Sequence, residues 1–225
     1  MDLLTGDSKV RTVRKAESRI FPACTVAFVL AILSLLPGRY RLLPAGLDVA
    51  IGVVLIATLL AAGASSGSRF WIRLERYAIG AFAALSIAIE SIILGRLLID
   101  MATHARNVSG IGLLSTSVGI WLTNVVIFAL LYWQIDRGGP QGRAREAAVA
   151  ADISFPRGEP GEGTQKDWRP TFPDYLFVAF TASTAFSPTD APPLTVRAKM
   201  LLMTQSLISL VTIVAVAARA INLLG

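Results

Sequence analysis

The sequence predicts an all-α membrane protein, with about five transmembrane helices and a short re-entrant helix before the last of them. Three observations carry that prediction. Hydrophobic residues make up 54% of the chain and charged residues 16%, whereas a soluble domain is about a quarter charged. Mean hydropathy is +0.61, concentrated in long apolar runs with short polar segments between them. The third observation is one run that is too short. A spanning helix needs roughly 20 apolar residues, and a run of about 10–14 reads as buried or re-entrant. That run opens at Pro173; the Pro-rich stretch Pro188 to Pro193 follows it, and then a full-length apolar segment from Ala198 to Leu224.

In chain order the sequence divides into a basic segment (1–20), a four-helix membrane scaffold (21–135), a flexible loop (136–172) and a module of short helix, loop and last span (173–225). Lys9, Arg11, Arg14, Lys15 and Arg19 make the first segment basic. The first span begins at Phe21. Pro37-Gly38-Arg39 follows it instead of a small-residue cleavage site, so the span is read as retained. The second runs from Pro44 to Ala62, with Asp48 near its start. Arg69, Arg73 and Arg76 then interleave with Phe70, Trp71 and Tyr77 as an interfacial collar, rings at headgroup depth and guanidinium groups reaching outward. These arginines precede a span rather than lie inside one, which argues against a voltage sensor. The third span, Tyr77 to Ile99, contains Glu90 and Arg96; the fourth, Ser109 to Ile135, contains Asn124. The small residues Gly80, Ala84 and Ala88, and Gly112, Thr116, Gly119 and Thr123, are expected to let helices pack closely.

Several chemistries are excluded. Cys24 is the only cysteine and His104 the only histidine, so there is no disulfide framework and no metal site built on thiolate or imidazole. No cofactor is expected. There is no Gly-x-Ser-x-Gly, and the glycines of the 136–172 loop lack the strand and Lys-Ser/Thr of a phosphate loop. An enzyme is therefore not expected. The net charge of +6 reports topology rather than nucleic-acid binding, because the basic residues border apolar runs. They concentrate in the N-terminal segment, the collar and the 136–172 loop, while Arg39, Arg41 and Arg106 border the opposite ends of the spans. The positive-inside rule then predicts a cytoplasmic N-terminus, with the Pro173 loop on the same side.

Within the terminal module, Pro173 suits a first helical turn and Asp174 complements the positive helix end. A helix from Tyr175 to Thr184 is about 15 Å long at 1.5 Å per residue, half of a hydrocarbon core of about 30 Å. Thr181, Ser183 and Thr184 gather at its negative end, where a cation is favoured. Pro188, Pro192 and Pro193 delay helix until about Thr195. Irregular backbone at that depth is tolerated only where protein buries it or water lines it. On the last span Gln205, Ser209 and Thr212 follow i, i+4, i+7, a stripe that faces either a cavity or a neighbouring helix.

The order Tyr175-x5-Thr181-x-x-Thr184, a loop ending in Asp190, then Pro193 and a long apolar helix resembles the pore module of tetrameric potassium channels. The chain as a whole, including Phe155-Pro156-Arg157-Gly158, resembles a family of uncharacterised bacterial integral membrane proteins. These resemblances imply a channel-like homotetramer of the bacterial inner membrane that conducts inorganic ions through the lipid bilayer. The chain departs from the channel pattern at the filter, where Ala185-Phe186-Ser187-Pro188 and the extra Thr189 replace Val-Gly-Tyr-Gly. No glycine lies between Gly163 and Gly225, so a potassium-type carbonyl filter is not expected. Selectivity for a cation would come instead from side chains: a ring of Asp190, the hydroxyls of Thr181, Ser183, Thr184 and Ser187, and a Phe186 constriction, with Gln205, Ser209 and Thr212 lining the cavity. The alternative is a secondary transporter or exporter of a small solute, coupled through Glu90, because an ionisable residue deep in a span is a functional candidate by default.

Overall fold

The computed structural model describes residues 17–35, 38–42, 44, 46–65, 68–103, 110–144, 149–156, 168–184 and 191–224. Every element among them is helical: α1 (Ile20–Leu35), α2 (Leu47–Ala64), α3 (Arg69–Thr103), α4 (Gly110–Ile135), α5 (Gly139–Ala144), α6 (Phe172–Ser183) and α7 (Val196–Leu224). Their composition explains them. α1, α2 and α4 contain no proline beyond the first turn and no charged residue other than Asp48 at the start of α2, so neither breaker nor buried charge interrupts the apolar runs.

Three helices are long and apolar enough to cross a membrane: α3, the stretch Leu114–Ala144 that joins most of α4 to α5, and Val196–Ala218 of α7. α1 and the Val49–Ala64 part of α2 are shorter apolar helices packed beside them. At 1.5 Å per residue, the 16 residues of α1 reach about 24 Å. The expected collar turns out to be the first turns of α3 itself. Nothing between Arg69 and Tyr77 breaks a helix, so α3 runs for 35 residues.

α4 is the hub. It packs against α1, α3, α6 and α7, while α1, α2 and α3 pack in succession. Ile127, Phe128, Leu130, Tyr132 and Trp133 of α4 are completely buried. Their large apolar area leaving water or lipid gives the bundle its core. α1 and α2 approach closely at Gly52, where a Cβ would overlap the Leu30 side chain. The two small-residue stripes differ. Thr116, Gly119 and Thr123 face inward, whereas Gly80, Ala84 and Ala88 face outward, so only the α4 stripe packs against the chain's other helices.

The antiparallel succession gathers the beginnings of α1, α3, α6 and α7 and the end of α4 at one end of the bundle. Arg19 Nε pairs there with Glu75 Oε1 at 3.3 Å, and Arg76 donates to the Gly138 carbonyl at 2.9 Å. At the opposite end the Tyr40 hydroxyl donates to Asp100 at 3.1 Å. After α4 the chain turns sharply through Arg137, Gly138 and Gly139, at φ 52°, 75° and 80°. Left-handed backbone costs an ordinary residue roughly 1–2 kcal/mol, and two glycines remove that cost from two of the three positions.

Candidate functional site

The terminal module is fastened to the bundle by two buried carboxylates, both in the segment expected to be a solvated loop. Asp136, completely buried, immediately follows α4. Its Oδ1 accepts from the backbone N–H of Asp152 at 2.8 Å and of Ile153 at 3.3 Å. Its Oδ2 accepts from the Tyr175 hydroxyl of α6 at 2.7 Å. Asp152 in turn holds the start of α7. Arg197 Nε and Nη2 reach its two oxygens at 2.6 Å each, a bidentate pairing, and Thr195 donates to Oδ1 at 2.5 Å. A single bridge, Ile153 with Pro193, completes the clasp, with Leu194 N–H donating to the Asp152 carbonyl at 2.7 Å. Burial pushes the Asp152 carboxyl up, but the hydrogen bonds from Arg197 and Thr195 and the Arg197 charge outweigh it and hold it below its ordinary value. The expectation of a flexible, solvated 136–172 loop is therefore corrected for 136–144 and 149–156. Charges that cancel in a list are here paired in space.

Arg143 of α5 ties the N-terminal side into the same network. It is buried and donates to the Trp133 and Asp136 carbonyls at 2.8 and 3.0 Å. Its Nη2 pairs with Glu17 Oε2 at 2.8 Å, while the Trp133 indole donates to Glu17 Oε1 at 2.6 Å. The guanidinium lies 5.1 Å from the Tyr175 ring centroid and 5.7 Å from that of Trp133, within cation–π range.

α6 starts at this anchored end with a capping box between Thr171 and Asp174. Asp174 thus does more than complement the dipole, because it also accepts the Thr171 N–H at 2.7 Å. The helix is 12 residues long, about 18 Å. Of its last carbonyls, Phe180 accepts the Thr184 N–H at 3.2 Å and Thr181 the Thr184 hydroxyl at 3.3 Å; α7 donates to those of Ala182 and Ser183 and adds a second bond at Ala179. Gln205 Nε2 donates to the Ala179 carbonyl at 2.7 Å, Ser206 to Ala182 at 3.2 Å and Ser209 to Ser183 at 2.6 Å. The Tyr132 hydroxyl donates to Gln205 Oε1 at 2.6 Å. Gln205 and Ser209 are thus buried against α6, not open to a cavity within the chain. Ser206, which the i, i+4, i+7 pattern leaves out, belongs to the same set; its signal is only that it neighbours Gln205.

The remaining expected residues separate. Thr181, Ser183 and Thr184 each donate to a carbonyl of their own helix. Thr212 does the same toward Ile208 at 2.8 Å. Thr184 and Thr212 both line an open, mostly apolar cavity of about 420 Å³ between α4, the end of α6 and α7, with Ser117, Trp121 and Ile213. Phe186, Ser187 and Asp190 lie outside the described residues, as does His104. Glu90 is far from this module in sequence and sits in the α3 face buried against the other helices, only 1% exposed. Its neighbour across the seam is Asn124 of α4. Among the described residues no group of three or more His, Cys, Asp or Glu side chains comes together to hold a metal.

Comparison with family models, with curated proteins and with solved structures finds no match to this chain. What stands is the class defined by the helices themselves: an all-helical protein with three helices long and apolar enough to span a membrane. Its distinguishing feature is a short helix clasped to one end of the bundle.

Proposed function

We propose that the chain is a channel-like membrane protein in which α6, the 185–195 segment and α7 form a re-entrant module, and that copies of it, four in number, surround a cation pathway. The observation that carries the reading is the half-length helix whose last two carbonyls are satisfied by α7. A helix that stops inside a bilayer must have those groups bonded by protein or water, and Thr184, Ser206 and Ser209 do that work for α6. Its C-terminal half-charge then points to mid-bilayer, where a passing cation is favoured. Trp168 before α6 and Leu194 after it belong to segments fastened to one end of the bundle, which is what re-entry requires. On this reading that end is cytoplasmic, by the positive charge of the N-terminal segment. Selectivity rests on Asp190 rather than on backbone carbonyls, and the cavity lined by Thr184 and Thr212 opens toward the pathway.

Two measurements test this. In a Cys24→Ser background, Trp168→Cys and Leu194→Cys should react with an impermeant thiol reagent from the same side of sealed vesicles; reaction from opposite sides means that α6 crosses. Purified protein in planar bilayers should carry cation current, with Asp190→Asn reducing cation-over-anion selectivity. Absence of current together with an oligomer that is not tetrameric overturns the channel reading.

A further inference from the structure

Glu90 differs from the other buried carboxyls described. Neither of its oxygens makes a hydrogen bond, and neither does either polar atom of the Asn124 amide nor the hydroxyl of Thr123. The three residues are 1%, 0% and 2% exposed. The helices packed against α3 are α2, α4 and α7. α4 carries no charged residue; α2 carries Asp48 in its first turn; α7 carries Arg197 and Lys199 at its start and Arg219 near its end. On α3 itself Arg96 is exposed, Glu75 is paired with Arg19 and Asp100 accepts from Tyr40. Among the described residues Asn124 alone bears on the Glu90 carboxyl. A lone carboxylate in such surroundings is prohibitively costly, so the site must hold one positive charge. A residue serving packing alone would be leucine or isoleucine, as at Ile89 and Ile93 on either side.

We propose that Glu90 and Asn124 form a monovalent-cation exchange site in the α3–α4 seam, where a sodium ion replaces the carboxyl proton. The exchange balances. The protonated acid and one Na⁺ give a carboxylate–Na⁺ pair and one released H⁺, with no net charge left in the seam. The carboxylate and amide oxygens are hard donors of the kind such cations prefer, and one carboxylate neutralises one unit of charge, which selects a monovalent ion. The site lies on α3 and α4, so it stands whether or not α6 and α7 form a pore.

The test uses the full-length protein in detergent, in NaCl or in choline chloride at equal ionic strength. The probe is dicyclohexylcarbodiimide, which modifies protonated carboxyls in apolar surroundings, read by mass spectrometry on the Glu90 peptide. In choline chloride Glu90 should label; Na⁺ at about ten times its dissociation constant should slow labelling roughly tenfold and raise the melting temperature. Glu90→Gln should abolish both responses. Asn124→Ala should still label, but should need on the order of tenfold more Na⁺ for protection. Equal labelling in lithium, sodium, potassium and choline salts overturns the proposal and leaves a permanently protonated acid. Absence of labelling together with a melting temperature indifferent to Na⁺ overturns it as well. The comparison of salts on the unmodified chain decides the matter even if Glu90→Gln misfolds.

Discussion

Asp136 and Glu90 are equally hidden, at 0% and 1% exposure, yet their surroundings are opposite. Asp136 sits at the end of the bundle and accepts two backbone N–H groups and a phenol. Glu90 sits in the middle of α3 and accepts nothing. A buried acid of that kind is architecture, because both of its oxygens are committed and any change leaves a donor stranded. An unsaturated one is available for a ligand. The contrast sorts the polar residues of this chain more sharply than burial or helix position does.

The largest effect that would break the comparison is on stability. Asp136→Ala strands two N–H groups and the Tyr175 hydroxyl; at about 1–3 kcal/mol for each unsatisfied buried group, a loss of roughly 3–5 kcal/mol is expected in denaturant unfolding. Glu90→Gln removes a charge site and no hydrogen bond, so it should be neutral or stabilising by up to about 2 kcal/mol. Equal losses in the two variants would erase the distinction. Next in size is Gln205→Leu, which leaves the Tyr132 hydroxyl without its acceptor and removes the cross-helix bond to the Ala179 carbonyl. Inside a bilayer such bonds average less than in water, so about 2 kcal/mol is expected, read by the same unfolding assay, with earlier proteolysis at the end of α6.

These residues also mark how far the sequence could be read. The apolar runs and the short Pro173 helix are legible because periodicity and length are local properties. Charge cancellation in 136–172 suggested a solvated loop, because pairings such as Arg143 with Glu17, or Asp152 with Arg197, join positions far apart in sequence and exist only after the bundle closes. The Gln205–Ser209 stripe was visible as a pattern, but a pattern does not say whether it meets a cavity or a carbonyl. Its geometry against α6 does. Glu90 was legible as an expensive residue; its lack of partners was not, since that depends on what α2, α4 and α7 leave out. Of the expected pathway, Phe186, Ser187 and Asp190 fall outside the described residues, so the comparison at the filter rests on composition.

A third prediction concerns pH at the clasp. The Asp152 carboxyl is held below its ordinary value of 3.8, so its contribution to stability is complete above that value and is lost as pH falls through the depressed folded value. Asp152→Asn should therefore cost stability at neutral pH, by about 1 kcal/mol given that the Arg197 side chain is 57% exposed. The gap between variant and parent should close in acid below about pH 4. A gap that persists unchanged in acid would mean that the clasp is held by backbone bonds, from Leu194 N–H to the Asp152 carbonyl and from Ser154 N–H to the Pro192 carbonyl, rather than by charge.

The smallest effect separates the beginning of α6 from its end. Thr171 and Asp174 cap the first turn at an exposed position, where water is a ready substitute, so Thr171→Ala should cost about 1 kcal/mol. Ser209→Ala acts at the other terminus, on a buried hydroxyl that donates at 2.6 Å to the Ser183 carbonyl, where no water is at hand if the end of α6 lies at mid-bilayer. The two substitutions each remove one hydroxyl from one helix terminus. Unfolding in detergent and in lipid bilayers distinguishes them. Thr171→Ala should cost the same in both, and Ser209→Ala should cost more in the bilayer, since that is where an unpaired carbonyl finds no donor. Equal behaviour in the two media would place the end of α6 in contact with water, and the half-span reading would then need a wetted cavity at Thr184 and Thr212 to survive.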